Sequence, residues 1–148
     1  MDFRSNEGPT VSEHADTCTT RFYIEKEELR GETMGGYLEL FSRFRLEPGT
    51  RLEPHSHNSD ELYYLLSGRA QMQVGDETAH LAPGDLVRIP PNAVHSIWPV
   101  GDEAIEALAI GFSYMPEDRI GYTAHPIGGE PYWVPHDKRS ASDPVPSQ

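Results

Sequence analysis

The sequence predicts an all-β fold, a sandwich or barrel of short strands. Three observations carry that expectation. Tyr37 to Glu47 alternates apolar and charged residues with a period of two. Beyond it the chain divides into short β-prone segments at regular spacing, separated by turns rich in Gly, Pro, Asn and Asp. No amphipathic helix of useful length is visible. A chain of 148 residues suffices for one domain with short tails, and not for a separate cofactor-binding domain.

Taken in order, Met1 to about Thr20 is polar and aperiodic, and reads as a flexible N-terminal arm or a segment ordered by a partner subunit (1–20). Arg21 to Arg30 reads as a strand running into a short helical turn at Glu25 to Glu28, punctuated by Gly31, Gly35 and Gly36. In the segment from Tyr37 to Glu47, Leu38, Leu40, Phe44 and Leu46 share one face, and Glu39, Arg43, Arg45 and Glu47 share the other. Pro48-Gly49 is a turn. Strands are then expected at about Glu61 to Leu66, Ala70 to Val74, Thr78 to Leu81, Leu86 to Ile89, His95 to Val100 and Ala104 to Phe112. Met115 to His136, with Tyr122, Tyr132 and Trp133 among Gly and Pro, reads as an irregular strap packed by its aromatics. The barrel domain with its strap spans 21–136, and 137–148 has a disordered composition.

The formal charge of −12 argues against nucleic acid and anionic membrane surfaces as partners, because both would repel it. A single cysteine, Cys18, rules out an intrachain disulfide and suits a reducing compartment; in its polar setting it reads as a non-functional thiol. No secretory pattern and no membrane-spanning run is visible, so the expected location is cytoplasmic.

Chemistry concentrates between Gly49 and Gly68. His55 and His57 are two apart, and on an extended chain both imidazoles face one way. Glu61 has the same parity. Two imidazoles and a carboxylate suit Fe, Mn, Co, Ni, Cu or Zn better than Mg or Ca. His95, at the start of a strand after the rigid turn Pro90-Pro91-Asn92, is the candidate fourth ligand. By parity, Tyr63 and Leu65 follow Glu61 toward the same face, and Ile97 follows His95. Tyr63 is the best-placed hydroxyl for acid–base or orienting work.

These spacings resemble the two motifs of the cupin superfamily. The first reads Gly49, TRLEP, His55-Ser56-His57, NSD, Glu61, LYYLLS, Gly68, with every specified position present. The second reads Gly84, DLVRI, Pro90-Pro91-Asn92, AV, His95, SIW, Pro99, with Asn92 where Gly is usual and Pro99 where Asn is usual. Asn tolerates left-handed backbone angles, and Pro99 suits a strand end. The resemblance implies a double-stranded jelly-roll barrel with the metal inside, held by His55, His57, Glu61 and His95, and often a homodimer. It further implies a small-molecule substrate and one divalent transition metal, iron before the others. For activity it implies a non-haem iron dioxygenase, with Glu61 and Tyr63 as catalytic candidates. A metal-dependent isomerase, lyase, decarboxylase or cyclase, and a non-catalytic ligand-binding cupin, are the alternatives.

Other polar residues read as bystanders. Gln71 and Gln73 lie opposite the apolar face of their strand, Arg43 and Arg45 point to solvent or a dimer contact, and Arg88 points outward. His80, His125 and His136 lie outside both motifs, although His125 and Tyr122 could cover the barrel mouth.

Overall fold

The computed structural model describes residues 1–25, 38–113 and 119–135. The helical turn expected at Glu25 to Glu28 falls largely outside them, as do Gly31, Gly35, Gly36, Met115, His136 and the tail at 137–148. In chain order the described strands are β1 (Val11–Glu13), β2 (Cys18–Ile24), β3 (Leu38–Leu46), β4 (His55–His57), β5 (Asp60–Ser67), β6 (Ala70–Val74), β7 (Glu77–Leu81), β8 (Leu86–Ile89), β9 (His95–Pro99), β10 (Ile105–Phe112), β11 (Gly121–Ala124) and β12 (Tyr132–Pro135).

They form two six-stranded sheets, ordered β1-β2-β3-β10-β5-β8 and β12-β11-β4-β9-β6-β7, with antiparallel pairing throughout. The expected all-β class is what the chain adopts. Alternation sets which face is buried. On β3, Leu40, Phe44 and Leu46 are buried while Arg45 is exposed. On β5, Glu61, Tyr63 and Leu65 are buried, and on β9 Ile97 is fully enclosed. These side chains meet Met72, Ile89, Ile105 and Ala107 between the sheets in a single core. Burying each large aliphatic side chain contributes about 1.5–3 kcal/mol.

The outer faces carry the charges. Arg43 and Arg45 both pair with Glu106 on β10, Arg45 also pairs with Glu47, and Arg88 pairs with Asp60 at 2.6 Å. Exposed pairs of this kind contribute about 0–1 kcal/mol each, so they keep the surface polar more than they hold the fold. No helix among the described residues is long and apolar enough to cross a membrane.

Two expectations need correction. The segment 1–20 is not a free arm: β1 and β2 form a hairpin, and β2 pairs with β3 from Thr19↔Arg45 to Ile24↔Phe41. Its turn contains no glycine, so it carries no composition signal. The strap after Phe112 is not irregular either. β11 pairs with β4, placing Tyr122 opposite His57 and Ala124 opposite His55, and β12 pairs with β11. Each is only four residues long, too short for alternation to show.

Cys18 packs into the core, where burial pushes its thiol up to about 12, with Glu13 adding to the rise. It is an inert core residue in chemical character.

Backbone geometry explains the motif's closing glycine. Gly68 has φ +78°, and a Cβ there would lie 2.4 Å from the carbonyl oxygen of Ala104. Gly68→Ala is therefore expected to destabilise the protein by more than the roughly 1–2 kcal/mol of left-handed strain alone, read as a lower urea midpoint at unchanged m-value. Asn92 takes φ 65°, the left-handed angle for which Asn substitutes tolerably in place of Gly.

Candidate metal centre

Four side chains converge where the sheets face each other. His55 and His57 project from β4, and His95 from the start of β9, where it pairs directly with His55. All three belong to one sheet. Glu61 reaches them from β5 in the other sheet, so the cluster bridges the two layers. One ligand atom from each of His55, His57, Glu61 and His95 lies within 4.8 Å of every other. All four residues are nearly enclosed.

Local hydrogen bonds aim the imidazoles. His55 Nδ1 lies 2.7 Å from the carbonyl oxygen of Glu53, and His95 Nδ1 lies 3.0 Å from that of Ala93. A carbonyl can only accept, so each Nδ1 carries the proton and each Nε2 presents a lone pair to the cluster. The backbone around them is fixed as well. Asn92 N donates to the carbonyl of His57 at 2.5 Å, and Leu52 N to that of Ile97 at 3.0 Å. Below β9, Ser96 Oγ donates to Leu52 O at 2.7 Å and accepts from Arg51 Nε at 2.9 Å.

The donor set fits a divalent transition metal. His55 Nε2, His57 Nε2 and Glu61 Oε2 are buried without a hydrogen-bond partner. His57 Nε2 lies 3.2 Å and His95 Nε2 3.4 Å from Glu61 Oε2, and the His57 approach lacks hydrogen-bond alignment. Unpaired buried polar atoms are costly, and a cation among them satisfies all of them together. The protonation states agree. Burial holds His55 well below its ordinary value, with the neighbouring His14, His95 and His57 adding to the drop, so it stays a neutral ligand. For Glu61, burial raises the carboxyl, but His57 and His95 outweigh it and hold it well below the usual carboxylate range.

A cupin domain model matches residues 42–111, a span that contains all four candidate ligands. An uncharacterized protein of Methanocaldococcus jannaschii is 33% identical over 64% of this chain and 78% of its own length. The oxalate-binding protein of Thermotoga maritima is 30% identical over 55% of this chain and 69% of its own. The chain belongs to the cupin family. A stretch covering 43% of this cupin is 31% identical to the gentisate 1,2-dioxygenase of Haloferax, of which it spans 17%. Among solved structures, a Photorhabdus luminescens protein shares the fold with a TM-score of 0.62, at 22% identity over 76% of this chain and 87% of that one.

A cavity of about 30 Å³ meets the cupin's ligand cluster on the side of His57 and Glu61. Tyr63 lines it, with its hydroxyl 3.4 Å from His95 Nε2 and its ring against Phe44. Burial pushes the Tyr63 phenol well above its ordinary value, Glu61 adding to the rise, so it keeps its proton. The structure thus brings Tyr63 to the four candidate ligands, and places Arg43, Arg45 and Arg88 outside.

Two neighbours of the cluster lie beyond the matched segment. Tyr122 on β11 has its ring centroid 5.6 Å from His55 and 6.1 Å from His57. His14, in the β1–β2 turn, has its centroid 4.0 Å from that of His55. The aromatic content of the strap pointed to Tyr122, but nothing in the sequence singled out His14. His125 turns to Ser56 Oγ at 3.2 Å and is not in the ligand group.

Proposed function

We propose that this cupin is a metal-dependent enzyme acting on a small organic molecule, with non-haem iron as the metal and dioxygenation as the reaction. The observation that supports this reading is a buried set of three imidazoles and one carboxylate with a cavity against one side. A ferrous ion held there would supply Lewis acidity and a site at which substrate and dioxygen can meet. The chain's own residues set the conditions. His55 and His95 are locked in one tautomer by Glu53 O and Ala93 O, Glu61 contributes a carboxylate at neutral pH, and Leu40, Phe44 and Leu52 form the apolar part of the cavity wall. Tyr63, held protonated and lining the cavity, would donate a hydrogen bond to a substrate oxygen and not act as a base. The partial likeness to a gentisate dioxygenase favours oxygenation over the isomerase, lyase, decarboxylase and cyclase chemistry that the same ligand set supports.

Oxygen uptake by the iron-loaded protein against a panel of small enolisable and phenolic compounds tests the reading. Substrate-dependent uptake supports an oxygenase. Bound iron without uptake, but with chemical change of a compound, points to an isomerase, lyase, decarboxylase or cyclase. Tyr63→Phe is expected to retain metal at the wild-type level and to lower turnover on the order of 100-fold. Equal turnover in that variant would remove Tyr63 from the chemistry. A second reading, a ligand-binding cupin, takes support from the oxalate-binding relative. It predicts saturable binding with no chemical change.

A further inference from the structure

Three consecutive residues without glycine, His14, Ala15 and Asp16, take left-handed backbone angles, with φ of 52°, 55° and 62°. Each costs about 1–2 kcal/mol for an L-residue, so such a turn persists only where its surroundings hold it. Here they do. Thr17 donates to the carbonyl of His14 from both N, at 3.2 Å, and Oγ1, at 2.6 Å. Ser12 Oγ donates to Asp16 at 2.7 Å. Thr17 Oγ1 also accepts from Glu53 N at 3.1 Å. Glu53 is the residue whose carbonyl orients His55, so the strained turn is fastened to the backbone that carries the metal centre.

What the strain achieves is the position of one imidazole. The His14 ring centroid stands 4.0 Å from His55, 4.6 Å from Tyr122 and 6.5 Å from His57. It lines the same cavity as His57, Glu61 and Tyr63, yet it is not in the group whose ligand atoms converge. Thr20, Ser42 and Tyr63 supply hydroxyls to this cavity, against Phe22, Phe44 and Leu52. No Lys or Arg is among its described lining residues.

We infer that His14 is a substrate-positioning residue: its ring, carried in by the β1–β2 hairpin, hydrogen-bonds a small polar ligand in the cavity beside the metal centre. The inference rests on the metal-centre reading above. With no Lys or Arg in the described wall, a ligand's oxygen or nitrogen atoms are left to the metal, to the hydroxyls of Thr20, Ser42 and Tyr63, and to His14, the one lining imidazole outside the converging group. The hairpin lies outside the cupin-matched segment, so it gives this chain a means of selecting ligand that the shared barrel does not provide.

The test loads the protein with cobalt(II) and follows azide titration by ligand-field absorption, in wild type, His14→Gly and His14→Gln. Glycine suits the left-handed angle at position 14, so removing the ring relieves the turn and does not strain it. The expected result is wild-type cobalt content in both variants, with azide affinity about 10-fold weaker in His14→Gly and within about threefold of wild type in His14→Gln, the size of one hydrogen bond. Wild-type azide affinity in His14→Gly overturns the inference and leaves the metal centre standing. Cobalt loss from His14→Gly alone also overturns it, by making His14 a ligand. A wild-type protein that takes up no cobalt removes the metal centre, and the inference with it.

Discussion

Replacing His95 with alanine is expected to lower affinity for a divalent transition metal by more than about 100-fold. Residues that merely support a ligand already cost about 10–100-fold when removed, and His95 supplies a lone pair itself. Its loss also leaves Glu61 Oε2 with one fewer imidazole nearby; that oxygen now has two, at 3.2 and 3.4 Å. Glu61→Gln keeps the shape and removes the one carboxylate of the set, and should weaken binding in the same direction. Competition against a chromophoric chelator measures both. Thermal melts give an independent readout: metal at 100 times its dissociation constant stabilises the wild type by about 2.7 kcal/mol, and His95→Ala should lose most of that shift. Wild-type affinity in His95→Ala would place the ligand set elsewhere.

The second large effect is acid lability of the metal-free protein. His55 has a folded pKa well below 6.5, chiefly because it is buried. Between that value and 6.5 the unfolded chain binds the extra proton and the folded one does not. Stability then falls as pH drops below about 6.5, by up to about 1.4 kcal/mol per pH unit from this group. Glu61 acts with the same sign lower down. Its folded pKa is depressed below 4.5, so its contribution is present above 4.5 and is lost as pH falls further. Urea unfolding of the chelator-treated protein at pH 7.5, 6.0 and 5.0 measures the first step. Stability is expected to fall from pH 7.5 to 5.0, and the fall should shrink in His55→Gln, which has no proton to take up. A flat profile would contradict the protonation states derived for the site.

Much of this was legible before any coordinates, for identifiable reasons. His55 and His57 share a face because β4 is a true strand, so parity worked. Glu61 shares their parity, but parity alone does not show that the chain crosses to the other sheet between β4 and β5; the ligand meets its partners across the interior and not along one face. His95 was a candidate from its place at a strand start after the rigid turn Pro90-Pro91-Asn92, and the spacing of the second motif strengthened it; its long-range pairing with His55 had no local signal. The hairpin and the strap were not legible. β1, β11 and β12 are three or four residues long, and their pairing depends on tertiary partners more than on local pattern. The left-handed turn at His14 to Asp16 contains no glycine and is held by Ser12 on Asp16, Thr17 on His14 and the long-range bond from Glu53, so its local signal is weak. His14 therefore reaches the site without a sequence signature, while the four candidate ligands carry a clear one.

Metal stoichiometry by elemental analysis is the most direct test of the central claim, measured on protein purified without added metal and again after anaerobic reconstitution with ferrous iron, beside His55→Ala and His95→Ala. About one transition-metal ion per chain in the wild type, lost in both variants while their β-sheet circular dichroism is retained, is the expected result. A folded wild-type protein that holds no transition metal after reconstitution would contradict it.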